Sequence, residues 1–415
     1  MQFYEFKETQ ERVILIGVQT EVGDDVEASL DELEELAETA GAETVAKVIQ
    51  NREAVHPGTY IGKGKIEEVA SLLRALDANG VICDDELSPA QLNNLERELD
   101  CKVMDRTLLI LDIFAGRAVS SEGKIQVELA QLRYRAARLV GLRESLSRLG
   151  GGIGTRGPGE KKLETDRRLI RTRISALKAE LAQVEKHREL IRGKRSRGNL
   201  KIAAIVGYTN AGKSTLLNTL TGAGILAEDK LFATLDPTTR VLELKDGQQI
   251  LLTDTVGFIR KLPHHLVEAF KSTLEEAKYA DYIIHVVDAS NPQAELQMFT
   301  VYETLRELGA TGKKIVTLLN KQDQVTGSGI RDLKADYTVK CSARTGEGLD
   351  EFKDVLAKLL AEDQIYLEEL YPYSEAGKIQ KIREFGTLLS EEYREDGIFV
   401  KARVPAEIFV SVMPK

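Results

Sequence analysis

The sequence predicts an α/β multidomain chain, and three observations carry that prediction. Short apolar runs alternate with helical periodicities from residue 13 to residue 99 and again beyond residue 200. Two long helical patterns separate these regions. The apolar run Ile202–Val206 leads directly into the glycine-rich string Gly207-Tyr208-Thr209-Asn210-Ala211-Gly212-Lys213-Ser214, which is followed by helix-forming Leu216 and Leu217. At 415 residues the chain is too long for one ordinary core and ample for two or three. The expected segments are 1–115, an N-terminal α/β domain; 116–198, a helical hairpin; 199–361, a phosphate-loop domain; and 362–415, a small α+β element.

In the first segment Val13–Val18 reads as a strand. Leu30, Leu33, Leu36 and Ala37 then place one apolar face on an acidic helix opened by Asp24 and Asp25. Strands at Thr44–Ile49 and Val81–Cys83 alternate with helices at Ile66–Leu76 and Ser88–Leu99, the latter capped by Ser88 with Pro89 in its first turn. This pattern predicts a small parallel sheet. Gly62-Lys63-Gly64-Lys65 is read as a plain loop before a helix and is assigned no chemistry.

The second segment reads as two long antiparallel helices, Ser120–Leu149 and Glu160–Ile191. Their apolar stripes are Ile125, Leu129, Leu132, Ala136, Leu139 and Leu169, Ile170, Ile174, Leu177, Leu181, Val184. Gly150–Gly159 forms the tip. Gly152, Gly154 and Gly157 imitate a dinucleotide fingerprint, but a helix precedes them where that fingerprint needs a strand. Arg133, Arg135, Arg138, Arg143 and Arg148 before the tip, and Arg167, Arg168, Arg171, Arg173, Arg192, Lys194, Arg195 and Arg197 after it, outnumber the local acids. A solvated face braced by pairs such as Glu164 with Arg168 explains some of this charge; a phosphate-backbone surface flanking a glycine finger is the sharper expectation.

The third segment holds the chemistry. Backbone N–H groups of Gly207–Ser214 and the adjoining Thr215, added to the positive end of the following helix, suit nucleotide phosphate binding. Lys213 reaches β and γ oxygens, and the Ser214 hydroxyl suits Mg²⁺. Downstream, the strand Ile250–Thr253 delivers Asp254-Thr255-Val256-Gly257, an acid for the metal region and a glycine N–H for the γ-phosphate. Lys314–Leu319 runs into Asn320-Lys321-Gln322-Asp323. The Asp323 carboxylate can accept from the N1–H and exocyclic amine of guanine, a donor pair that adenine lacks. Ser342-Ala343-Arg344, after Cys341, suits a turn aiming a backbone N–H at the guanine O6. The five stretches, in this order, predict a Ras-like P-loop GTPase domain binding GTP or GDP with Mg²⁺. A metal-sensing threonine must lie between Ser214 and Asp254; Phe232-Ala233-Thr234-Leu235-Asp236-Pro237-Thr238-Thr239 offers Thr234 first and Thr238 second.

The formal net charge of −9 excludes indiscriminate nucleic-acid binding by the whole surface. Cys83, Cys101 and Cys341 are widely spaced, without metal-ligand spacing, and read as reduced thiols. No signal-peptide plan and no bilayer-length apolar run is found, so a cytoplasmic protein without a membrane partner is expected. The tail reads as strand Gln364–Tyr371, helix Lys378–Leu389 and strand Ile398–Val404.

On these strings the chain resembles the HflX family of ribosome-associated GTPases: the N-terminal α/β domain, Arg156-Gly157-Pro158-Gly159-Glu160, the Gly207–Ser214 loop, Phe232–Asp236, Asp254–Phe258 and Tyr373-Ser374-Glu375. The resemblance implies GTP hydrolysis, a monomer, and association with the large (50S) ribosomal subunit and its rRNA, to split or rescue stalled ribosomes. It places the Mg²⁺ threonine on Thr234, so that Ser214 and Thr234 hold the metal while Lys213, Thr234 and Gly257 serve the reaction. A nucleotide-gated RNA-binding or ribosome-assembly adaptor, in which turnover is incidental, is the alternative. A GTPase of tRNA modification would need a cofactor-binding region that the sequence does not offer.

Overall fold

The computed structural model describes residues 10–20, 25–149, 158–196, 200–222, 224, 231–233, 235–245, 247–261, 276–325 and 329–414. Two compact units result: Met1–Glu185 with Glu228–Asp236 and Arg260–Ser272, and Lys186–Ala227 with Pro237–Ile259 and Thr273–Lys415.

The first unit opens as a parallel α/β layer: β1 (Arg12–Gln19), α1 (Val26–Thr39), β2 (Glu43–Asn51), α2 (Lys63–Ala75), β3 (Gly80–Cys83), α3 (Pro89–Leu99), β4 (Lys102–Asp105) and α4 (Arg106–Arg117). The sheet order is β2-β1-β3-β4, with all pairs parallel. Ile14, Ile16, Val81, Cys83, Val103 and Leu95 fill one side of it. Each such buried aliphatic side chain contributes roughly 1.5–3 kcal/mol. Asp25 caps α1 by accepting from the Ala28 N–H at 3.0 Å. Ser88 and Gln91 form a reciprocal capping box on α3. The sequence reading missed β4 and α4: four residues are too few to show a period, and α4 is apolar on most of its surface. In Gly62-Lys63-Gly64-Lys65, the Gly62 N–H is already bonded to Gln50 Oε1 at 2.8 Å and the lysines lie within α2.

Helices α5 (Ser121–Leu149) and α6 (Pro158–Ser196) follow. Ile125, Leu129 and Leu177 share an apolar cluster with Leu132, Ile174 and Leu181. Arg173 grips Glu128 with two bonds of 2.7 and 2.8 Å. Of the expected tip, residues 150–157 lie outside the described residues, while Pro158 and Gly159 begin α6 instead, since proline suits a first helical turn.

The second unit carries β5 (Lys201–Gly207), α7 (Lys213–Thr221), β6 (Thr238–Glu243), β7 (Gln249–Asp254), β8 (Tyr282–Asp288), α8 (Ala294–Glu307), β9 (Lys314–Asn320), β10 (Tyr337–Lys340) and α9 (Leu349–Glu362). The order is β10-β9-β8-β5-β7-β6, parallel except for β6. The apolar strand runs read from sequence are the buried centre of this sheet.

The tail differs from its sequence reading. It comprises β11 (Gln364–Tyr371), α10 (Ala376–Phe385), β12 (Thr387–Arg394), β13 (Gly397–Pro405) and α11 (Ala406–Val412), with an antiparallel sheet in the order β11-β13-β12. The helix expected to reach Leu389 stops at Phe385. A Cβ on Gly386 would fall 2.5 Å from the Arg403 carbonyl oxygen, so backbone crosses closely there and the chain turns into β12. Ladder bonds to β13 override the weak strand propensity of Ser390-Glu391-Glu392.

Candidate nucleotide site

β5, β7, β8 and β9 end on one edge of the second sheet, and the carboxyl ends of β5, β7 and β9 carry the predicted strings. This edge is where open parallel sheets bind ligands. Gly207 lies so close to β8 that a Cβ would sit 2.3 Å from the Val286 carbonyl oxygen. Gly212 has φ +94°, and a Cβ there would meet Asn320 Nδ2 at 2.3 Å. No other residue type fits either position unstrained. Asn210 also takes a positive φ, 59°.

Lys213 starts α7, is 6% exposed, and donates from Nζ to the Tyr208 carbonyl at 2.7 Å. Burial lowers its pKa from the ordinary lysine value to about 8, against the opposing pull of the Asp254 charge. Ser214 Oγ donates to Asp254 Oδ2 at 2.7 Å, and the Thr215 carbonyl accepts from Thr219 Oγ1. Thr255 Oγ1 donates to the Ile205 carbonyl at 2.8 Å, and Val256 is buried. A Cβ on Gly257 would fall 2.9 Å from both Lys213 Nζ and Thr209 Cα, so the glycine lies directly against the phosphate loop and its lysine. The next residue, Phe258, stitches the two strings together: its N–H donates to the Gly207 carbonyl at 3.0 Å and its carbonyl accepts from Thr209 N–H at 2.8 Å. Its ring is 1% exposed.

At the base end Asn320 donates from Nδ2 to the Ala211 carbonyl and accepts at Oδ1 from the Ala343 N–H, both at 2.8 Å. Lys321 takes φ 60° and pairs with Asp288. Gln322 anchors the turn through Nε2 to the Leu319 carbonyl at 3.1 Å. Asp323 is exposed on a single 3₁₀ turn. Ser342 is buried, the Ala343 carbonyl accepts from Thr219 Oγ1 at 2.7 Å, and Arg344 is exposed. Sequence reading missed Asp288 and Thr219; the acid ending the apolar run of β8 was the visible signal for the first.

The first-switch string, Phe232–Asp236, falls in the first unit. Phe232, Ala233, Leu235 and Asp236 belong to the first unit, and Thr234 lies outside the described residues. The Phe232 ring meets Phe114 edge-on at 4.6 Å. Asp236 accepts from the backbone of Val119 at 3.1 Å and of Ser120 at 2.8 Å, and from the Ser120 hydroxyl. Thr238, the second candidate, opens β6 as the register partner of Asp254. In the arginine-rich helices, Arg138 is engaged by Asp105 and stacks 3.2 Å from the Tyr134 ring centroid. Arg138 and Arg173 therefore already hold carboxylates of this chain.

A glycine cradle at a helix start, a carboxylate behind its serine hydroxyl and an Asn-Lys-x-Asp turn on the same sheet edge define a P-loop GTPase, which binds GTP and GDP and hydrolyses GTP. Comparison with known proteins agrees. Residues 202–321 match a family model described as 50S ribosome-binding GTPase, residues 27–115 one described as GTP-binding GTPase N-terminal, and residues 117–195 one described as GTP-binding GTPase middle region. The GTPase HflX of Lacrimispora saccharolytica is 68% identical over 98% of this chain and 97% of its own length. That of Caldanaerobacter subterraneus subsp. tengcongensis is 49% identical over 97% and 93%, and that of Escherichia coli K12 is 41% identical over 95% and 94%. A solved GTP-binding protein from Sulfolobus solfataricus in complex with GDP aligns with 27% identity over 84% of this chain and 98% of its own, at a TM-score of 0.45. The chain belongs to the HflX family of GTPases. No helix among the described residues is long and apolar enough to cross a membrane.

Proposed function

We propose that this GTPase acts in the cytoplasm as a monomer that binds the large ribosomal subunit in its GTP form and helps to split or rescue stalled ribosomes. The observation that carries this reading is the match of residues 202–321 to 50S ribosome-binding GTPases, supported by near-full-length relatives named GTPase HflX. In the cycle, Gly207–Ser214 bind the phosphates, Lys213 neutralises the β and γ oxygens, the Gly257 N–H orients the γ-phosphate, and Asp323 with Ser342–Arg344 reads the base. The hydroxyl of Ser214 beside the Asp254 carboxylate forms a hard-oxygen set that fits Mg²⁺, which Ser214 and Thr234 would hold and which would supply charge neutralisation on the phosphates.

Where Ras-like enzymes carry a water-orienting glutamine, this chain has Phe258, with its ring buried and its backbone tied to the phosphate loop. The chain therefore depends on a partner for fast hydrolysis, and the ribosomal subunit is the partner expected. Sedimentation with ribosomal subunits tests the reading: co-sedimentation with the large subunit should be strong with a non-hydrolysable GTP analogue and weak with GDP. Equal recovery in both states would overturn it. The buried Phe258 also favours the second reading, an RNA-binding adaptor with incidental turnover; subunit release that continues undiminished without hydrolysis favours that reading.

A further inference from the structure

Asp288 ends β8 as the register partner of Asn320, which ends β9, and the Ala289 N–H donates to the Asn320 carbonyl at 3.0 Å. The two strand ends therefore leave the sheet together. Directly beyond them, Asp288 Oδ2 lies 2.8 Å from Lys321 Nζ, with side chains 13% and 22% exposed. The other carboxylate oxygen, Oδ1, accepts from the Ser290 N–H at 3.0 Å and from Ser290 Oγ at 2.6 Å. Both oxygens are occupied, so the carboxylate cannot rotate without losing a bond. Lys321 meanwhile sits at φ 60°, a left-handed conformation that few residues other than glycine adopt. Its neighbours are fixed on both sides: Asn320 by Ala211 and Ala343, and Gln322 by its N–H bond to the Cys341 carbonyl at 3.2 Å.

We propose that Asp288 is a positioning residue of the base site. By fixing the Lys321 ammonium, it stretches the four-carbon stem into a flat apolar rail against which a purine ring packs. It also keeps that ammonium from competing for the Asp323 carboxylate two residues on, the group left to accept from the base. The inference rests on the guanine reading of Asn320–Asp323.

The test is a double-mutant cycle with Asp288→Asn and Lys321→Met on the full chain, reading GDP affinity, GDP dissociation rate, and KM against kcat for GTP. Methionine keeps an unbranched apolar stem and removes the charge. Asp288→Asn should weaken GDP binding about tenfold through faster dissociation, with the loss appearing in KM rather than kcat. In the Lys321→Met background the same change should cost less than about twofold, because the ammonium it controls is gone. Asp288→Glu should recover part of the parent affinity. A loss below twofold for Asp288→Asn, or a full tenfold loss persisting beside Lys321→Met, overturns the proposal. Failure of the guanine reading would show differently, in the parent protein itself, as ADP bound as tightly as GDP.

Discussion

Asn320 and Ala211 stand 109 positions apart and are joined by one hydrogen bond of 2.8 Å, from the asparagine amide to the alanine carbonyl. The same side chain takes the Ala343 N–H on its other side. One buried amide thus ties the phosphate loop to both base-reading turns. Asn320→Ala would orphan a buried carbonyl and a buried N–H, costing about 2–5 kcal/mol of stability, and would weaken GDP binding. Denaturant unfolding and GDP titration check this. A stability loss under about 1 kcal/mol would show that the clasp is dispensable.

Asp323→Asn should shift preference from guanine toward xanthine nucleotides, since an amide N–H can donate to the xanthine O2. Competition between GDP and XDP is the measurement, and an unchanged ratio would remove Asp323 from base recognition.

The lowered pKa of Lys213, about 8, gives a pH signature. A lysine whose folded pKa is depressed contributes stability that is present above its unfolded value and lost as pH falls through the folded one. From this group, the ligand-free protein gains stability as pH rises from about 8 toward the ordinary lysine value. Bound phosphates raise the pKa again, so GDP affinity should be flat below pH 8 and weaken above it as binding takes up a proton. Lys213→Ala should abolish that slope. A parent affinity independent of pH between about 7.5 and 9.5 would contradict the assignment.

Phe258 should matter for folding as well as for the missing glutamine. With its ring 1% exposed, Phe258→Ala should cost about 3–5 kcal/mol. Intrinsic hydrolysis by the parent should be slow and accelerated by large ribosomal subunits. Fast turnover indifferent to added subunits would rule out partner activation.

Deleting residues 150–157 should leave GTP affinity nearly intact and weaken ribosome binding and splitting. Arg167→Glu with Arg171→Glu should weaken binding and flatten its salt dependence. Arg173 is a poor choice for that experiment, because its guanidinium already grips Glu128. A loop deletion that binds like the parent would make the tip a connector.

Legibility followed chemistry. The phosphate loop, Asp254–Gly257 and Asn320–Asp323 were readable because each needs particular residue types at fixed spacing beside a strand. Ser88 and Pro89 announced α3 by the same logic. What stayed hidden was whatever depends on distant partners: β4, whose four residues gain their place from β3, and β12, whose polar residues are held by β13. Asp288 was hidden similarly, since only the adjacency of two strand ends puts it against Lys321. Residue type marked Arg138 as a candidate for phosphate, and only tertiary packing revealed its engagement with Asp105.

Asp236 steadies Ser120, the residue that caps the long helix α5. Its carboxylate, in a string that sequence assigns to a nucleotide switch, takes the N–H groups of Val119 and Ser120 and the Ser120 hydroxyl; that hydroxyl accepts from the Gly123 N–H of the first helical turn at 2.9 Å, and a Cβ on Gly123 would crowd Asp236 Oδ1 at 2.7 Å. A helix start of this kind is worth roughly 1 kcal/mol, enough to decide whether its first turn frays. Withdrawal of Asp236 would therefore be recorded at the foot of α5 as faster amide exchange, so that this turn serves as a clock for how long the string stays seated.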